Sequence, residues 1–252
     1  NTTADNNTAF GARALLANTT GIANTGVGRD ALDANTTGSY NTGLGTYALG
    51  ANTSANSNVA VGYGSLGANT TGGNNTALGM QVLDAATTAG SNTGVGALAL
   101  GATTTGNANT ACGAEALSAN TTGSSNTAIG IYSLYTNSTA DNNTAVGRSA
   151  LQLNTTGTKN VAVGPYSADA NTTGNNNAIV GYNAFSGNTT GSSNTVLGSE
   201  ALRANTTAND NVAIGYAALY DNTTGASNVA VGGNALENNT TASNSVAVGK
   251  QA

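Results

Sequence analysis

The residues whose type and spacing best suit chemistry are the Asn of a recurring Asn-Thr-Thr, varied to Asn-Thr-Ser at Asn52 and Asn-Ser-Thr at Asn137, which fits the Asn-x-Ser/Thr pattern of N-glycan acceptors. They are Asn1, Asn18, Asn35, Asn52, Asn69, Asn120, Asn137, Asn154, Asn171, Asn188, Asn205, Asn222 and Asn239, and each is separated from the next by a multiple of seventeen residues. Asn6, Asn74, Asn142 and Asn238 head further matches. Catalysis has far less to draw on. The chain has no His, no acidic pair recurs at a useful spacing, and its Gly-x-Gly stretches lack the strand-to-helix setting of a nucleotide site. Asp is too sporadic for a calcium-binding nonapeptide roll. The expectation is a protein that is not an enzyme and needs no cofactor or metal.

The spacing of these Asn belongs to the whole chain. With Asn7 as position 1, the register returns at Asn24, Asn41, Asn58 and onward to Ser245 without insertion or deletion, a period of seventeen. Position 5 is Gly in every copy: Gly11, Gly28, Gly45, Gly62, Gly79, Gly96, Gly113, Gly130, Gly147, Gly164, Gly181, Gly198, Gly215, Gly232 and Gly249. Such uniformity points to a positive φ, or to an approach too close for a Cβ. Position 4 is always apolar, from Phe10 and Val27 to Val248, and position 9 is Leu in 12 of 14 copies, with Ala168 and Phe185 the exceptions. These two positions are the expected core. Position 8 is Ala or Ser except at Val82, and position 11 is mostly Ala, so the interior beside them is narrow.

Short segments such as NVAV and ANTT, bounded by Gly and Asn, are strand and turn signals and leave no room for a helix. A seventeen-residue unit cannot bury a core alone, but stacked units share one. The fold class is therefore all-β, a parallel β-solenoid of about fifteen coils of 17 residues. Coils spaced about 4.8 Å apart would make a rod on the order of 70 Å long. All six basic residues and all nine Tyr fall at positions 6, 7, 10 or 17, which are read as facing outward.

Two readings of Asn-Thr-Thr stay open. Asn and Thr can form turn and strand ladders through local hydrogen bonding and β-branching. Alternatively, strict alternation from Leu at position 9 puts positions 11 and 13 inside and 12 and 14 outside, exposing the Asn for a sugar. The loss of the Asn at Ala86 and Thr103, in consecutive coils, favours exposure, since a buried ladder should resist gaps. Ice binding calls for paired outward Thr rows, whereas adjacent Thr at 13 and 14 supply only one.

Composition narrows the partners. The net charge is −5 with only six Lys and Arg, so no basic stripe follows a nucleic-acid backbone. No apolar run approaches the roughly 18 residues of a membrane span, and the start lacks the features of a signal peptide. Cys112 stands where other copies have Val, Leu or Ile and reads as a buried thiol.

The motifs NVAVG, NTAIG and NSVAVG, followed by small residues and Leu, resemble the head repeats of trimeric autotransporter adhesins. They are more similar still to longer NTAxGxxAL…NTTG arrays of bacterial and phage proteins described as tail-fibre-like. The adhesin head repeat is shorter than the unit here. The resemblance implies a left-handed parallel β-roll, often trimeric, displayed at a cell surface or on a virion as an adhesive or spacer rod. Residues 1–252 form one continuous array that starts and stops inside a coil without capping units, so a stretch of a longer fibre is expected. The functional expectation is an extracellular filament or fibre shaft that self-associates end to end or as a trimer, with a glycan coat if the Asn face outward. The alternatives are a tail-fibre shaft binding surface carbohydrate and an ice-binding solenoid.

Overall fold

A computed structural model describes residues 4–252. Among them there is no helix, and every strand occupies positions 2 to 4 of its repeat. The chain divides into two compact units, Asn1–Ser125 and Asn126–Ala252. The first holds β1 (Thr8–Phe10), β2 (Thr25–Val27), β3 (Thr42–Leu44), β4 (Val59–Val61), β5 (Thr76–Leu78), β6 (Thr93–Val95) and β7 (Thr110–Cys112). The second holds β8 (Thr127–Ile129), β9 (Thr144–Val146), β10 (Val161–Val163), β11 (Ala178–Val180), β12 (Thr195–Leu197), β13 (Val212–Ile214), β14 (Val229–Val231) and β15 (Val246–Val248).

Within each unit the strands pair in chain order, all parallel, each residue opposite the one seventeen places on: Thr42 with Val59 in the first, Val161 with Ala178 in the second. Each unit is thus a parallel β-solenoid, as the period predicts. The ladder continues beyond the strands. In the coil starting at Asn41, the Thr42 N–H donates to the Asn58 carbonyl at 2.8 Å and the Leu49 N–H to Ser65 at 3.0 Å. The Thr53 N–H donates to the Thr70 carbonyl at 3.1 Å, and the Ser57 N–H reaches back to Ser39 at 3.0 Å. Turns as well as strands are therefore paired between coils, which satisfies backbone groups that short strands alone would leave bare.

Six positions point inward: 1, 3, 8, 9, 12 and 15. In the same coil Asn41, Gly43, Ala48, Leu49, Asn52 and Ala55 are all buried. In each unit the large apolar content of the core is a column at position 9, mostly Leu and mostly fully buried. Burying one such Leu is worth about 1.5–3 kcal/mol. The column's two exceptions compensate each other, the small Ala168 lying one coil from the large Phe185, both buried. Val82 at position 8 fits because the next coil has Gly94 at position 3, where a Cβ would lie 2.4 Å from the Val82 Cγ1.

Position 4 is not part of this core. Its side chains lie on the outer face of the sheet: Leu44 is 45% exposed, Ile129 42% and Leu197 49%. The reason is the pleat. Position 3, held to Ala, Gly, Val or Ile, takes the inward place, so its neighbours at 2 and 4 must point out. Alternation then fails further along the chain. Leu49 has a φ of 53° and Leu66 one of 50°, and every residue at position 9 shares this left-handed conformation. The turn it makes sends positions 8 and 9 inward in succession and reverses the phase of the residues after it. Position 12 therefore comes inside, while 11 and 13 are half-buried.

Candidate functional site

Two columns of Asn run through the interior of each unit. At position 1, the Asn58 Nδ2 donates to the Asn41 Oδ1 at 3.2 Å and to the Gly72 carbonyl at 2.9 Å. Its Oδ1 accepts from the backbone N–H of Asn75 at 2.9 Å and from the Asn75 Nδ2 at 3.2 Å. At position 12, Asn52 donates to the Asn35 Oδ1 at 2.7 Å and to the Ala55 carbonyl, and Asn69 in turn donates to the Asn52 Oδ1 at 3.0 Å. Both columns converge on the carbonyl of position 15: Gly72 accepts from Asn58 at 2.9 Å and from Asn69 at 2.9 Å.

This arrangement overturns the exposure expected for the glycan acceptors. Asn18, Asn35, Asn52, Asn69, Asn120, Asn137, Asn154, Asn171, Asn188, Asn205 and Asn222 are all buried, and Asn239 is half-buried. Asn1 lies outside the described residues. An N-linked sugar replaces an Nδ2 hydrogen, and in Asn154, for example, both hydrogens are committed, to the Asn137 Oδ1 and the Gly157 carbonyl. A glycan there is incompatible with the fold, and Asn-Thr-Thr serves as a ladder. The gap that suggested exposure is tolerated at a cost. With Ala86 in the next coil, the buried Asn69 Oδ1 has no partner, and beyond it Asn120 reaches the Thr103 hydroxyl at 3.4 Å. At position 13 the Thr36 hydroxyl donates to the Thr53 carbonyl at 3.0 Å, whereas the Thr at position 14 is exposed. Asn6, Asn74, Asn142 and Asn238 are exposed as well.

The position 5 glycines satisfy both requirements read from the sequence. Gly130 has a φ of 130°, and a Cβ on it would lie 2.6 Å from the carbonyl carbon and oxygen of Gly147 in the next coil. Gly62 repeats this against Gly79, with a φ of 129° and an approach of 2.3 Å.

The outer face of the sheet carries two adjacent rows. Position 2 is Thr or an aliphatic residue throughout, and position 4 is apolar in every coil. Cys112, on this face in β7, is exposed and not buried as its sequence context suggested. The row it occupies points out, so an aliphatic pattern there marks a surface and not a core. Uniform apolarity on an exposed face is unusual, because large contiguous apolar patches mark contact surfaces.

Side chains at positions 6, 7 and 10 decorate the turns. Arg29 lies over the Tyr47 ring at 4.8 Å, and Tyr47 meets Tyr63 edge to face at 6.0 Å. The same trio recurs seven periods later as Arg148 over Tyr166 at 5.7 Å, with Tyr166 meeting Tyr182 at 6.4 Å. Arg13 bridges Asp30 at 3.3 Å and Asp33 at 3.0 Å. Burial raises the carboxyl pKa of Asp84 and of Asp169 above the ordinary 3.8, only partly offset by hydrogen bonding to backbone beside each. No group of His, Cys, Asp and Glu among the described residues could hold a metal ion. No helix there is long and apolar enough to cross a membrane.

Comparison with known protein families, with curated proteins and with solved structures gives no match.

Proposed function

We propose that the protein is a structural shaft, a stretch of an extracellular filament on a cell surface or virion, and that copies associate sideways through the outer face of the sheet. The observation that carries this reading is position 4, apolar in all fifteen coils although it lies on the surface. A partner able to cover it along its length must repeat at the same rise of about 4.8 Å per coil. A second copy of this chain has that rise and presents the same Thr, Val, Leu and Ile knobs. Covering a half-exposed aliphatic side chain gives about 1 kcal/mol per coil, and a row of such coils adds up to a stable interface. The small charge, −5 over 252 residues, leaves little repulsion to oppose association.

The test is sedimentation velocity and electron microscopy of the full chain beside a variant carrying Leu44→Lys, Leu78→Lys and Leu197→Lys. All three side chains are exposed, so the variant keeps its fold, checked by circular dichroism. Multimers or filaments in the wild type that dissolve in the variant support the reading. A wild type that sediments as a 24.3 kDa monomer at every concentration refutes it.

A further inference from the structure

The second unit carries a groove that the repeat does not require. Four consecutive coils place Asp169, Ser186, Arg203 and Tyr220 at position 10, and Asn183 joins them from position 7. These side chains line a surface hollow of about 470 Å³. Its floor is low because the middle of the row is small. Ser186 is followed by Gly187, whose backbone runs so close to the next coil that a Cβ would lie 2.7 Å from the Arg203 carbonyl. The groove also sits where the interior departs from its rule, since Ala168 and Phe185, the two replacements in the position 9 column, immediately precede Asp169 and Ser186.

The two ends of the groove differ chemically. At one end the Asp169 Oδ1 is shielded from solvent and has no hydrogen-bond partner. A shielded carboxylate oxygen without a donor is costly, and the rest of this half-buried side chain lines the groove. At the other end the Arg203 guanidinium lies 5.5 Å from the centre of the Tyr220 ring and donates to its hydroxyl, with Glu200 at 3.8 Å. Arg203 keeps further N–H groups for an acceptor, since a guanidinium has five. Asn183 and Ser186 add both donors and acceptors between the ends.

We propose that this groove binds a neutral saccharide. One sugar hydroxyl donates to the Asp169 carboxylate, another accepts from Arg203, and the apolar C–H face of the ring lies against Tyr220. Charged ligands fit less well. An anion drawn to Arg203 meets the Asp169 carboxylate, and a cation drawn to Asp169 meets Arg203. An α-amino acid could satisfy both charges only if they were close, but the two residues are two coils apart, roughly 10 Å at the strand spacing. That span suits a chain of one or two sugar rings whose hydroxyls are spread along it. The site needs no self-association and stands independently of the shaft reading.

The experiment is an array of immobilised neutral oligosaccharides of gluco, galacto and manno configuration, probed with the full chain. Phosphate and glycine are titrated in parallel by calorimetry. The proposal predicts binding to at least one neutral glycan and none to phosphate or glycine. It predicts a loss of at least tenfold on Asp169→Ala and on Tyr220→Ala, with circular dichroism unchanged. Ser186→Gln fills the groove between the two ends and must also abolish binding, so the proposal remains testable if a variant at either end fails to fold. Binding to no neutral glycan overturns it, as does binding that survives Asp169→Ala or Ser186→Gln.

Discussion

Ala86→Asn should stabilise the chain, although it buries a polar side chain. Ala86 is fully buried at position 12, in the coil after Asn69, and the Asn69 Oδ1 is left without a donor. An Asn at 86 brings two N–H groups, one for that oxygen and one for the carbonyl of Ala89, which at present accepts from Asn75 at 2.8 Å. Its own Oδ1 meets the Thr103 hydroxyl, a donor. Satisfying a buried acceptor recovers about 1–3 kcal/mol, and ordering one more side chain costs a fraction of that. The net expectation is a gain of about 1–2 kcal/mol. For a chain of this size each kcal/mol moves the melting temperature by about 2–4 °C, so a rise of several degrees is expected by calorimetry. The opposite change in an intact part of the column, Asn171→Ala, removes bonds to the Asn154 Oδ1 at 2.9 Å and to Gly174 at 3.2 Å. It also leaves the Asn188 Nδ2 without the Asn171 oxygen, now at 2.7 Å, for a loss of about 2–5 kcal/mol. An Ala86→Asn variant that melts at or below the wild type refutes the claim that this column is held together by its amides.

Gly130→Val should disrupt its coil, because the new side chain meets the Gly147 backbone at 2.6 Å and must adopt a φ of 130°. Circular dichroism should show lost β content and a lower melting point, while Tyr132→Ser, on the outside of the same coil, leaves both nearly unchanged. The two desolvated carboxyls give a pH signature. Their folded pKa values are raised, so the folded chain holds these protons more tightly than the unfolded chain, and the stability they allow falls as pH rises through the folded values. Asp84→Asn combined with Asp169→Asn should therefore melt higher than wild type at pH 7, and the advantage should vanish below the ordinary carboxyl value of 3.8. An advantage of equal size at both pH values contradicts the burial assigned to them.

The solenoid was legible because its cause is global: a strict seventeen-residue period with an invariant Gly has few other solutions. The direction of the side chains at positions 4 and 12 was not, because it depends on local backbone. Alternation from position 9 places position 12 outside, but Leu49 and its equivalents adopt a left-handed φ that turns two successive residues inward. Nothing in the identity of Leu signals that conformation, which Gly and Asn ordinarily take. Position 4 is misleading for a related reason. Its residues are large and aliphatic while position 3 is mostly Ala or Gly, and the coil is so thin that the small residue belongs inside. The near-equal persistence of Asn at positions 1 and 12 was the available clue that both columns play one structural part. The groove at Asp169 could not be read from the sequence, because its residues are spread over four coils and gain meaning only when those coils are stacked.

The most direct test of association through the sheet face uses a residue the chain already has. Cys112 is the only thiol and stands on that face, exposed in the isolated chain. Its rate of reaction with a maleimide, measured on the native full chain and again after denaturation, reports whether the face is covered. Strong protection is expected in the native material, released on denaturation or on dilution below the assembly concentration. A native thiol that reacts as fast as the denatured one at high concentration would show the face bare in solution and contradict the account.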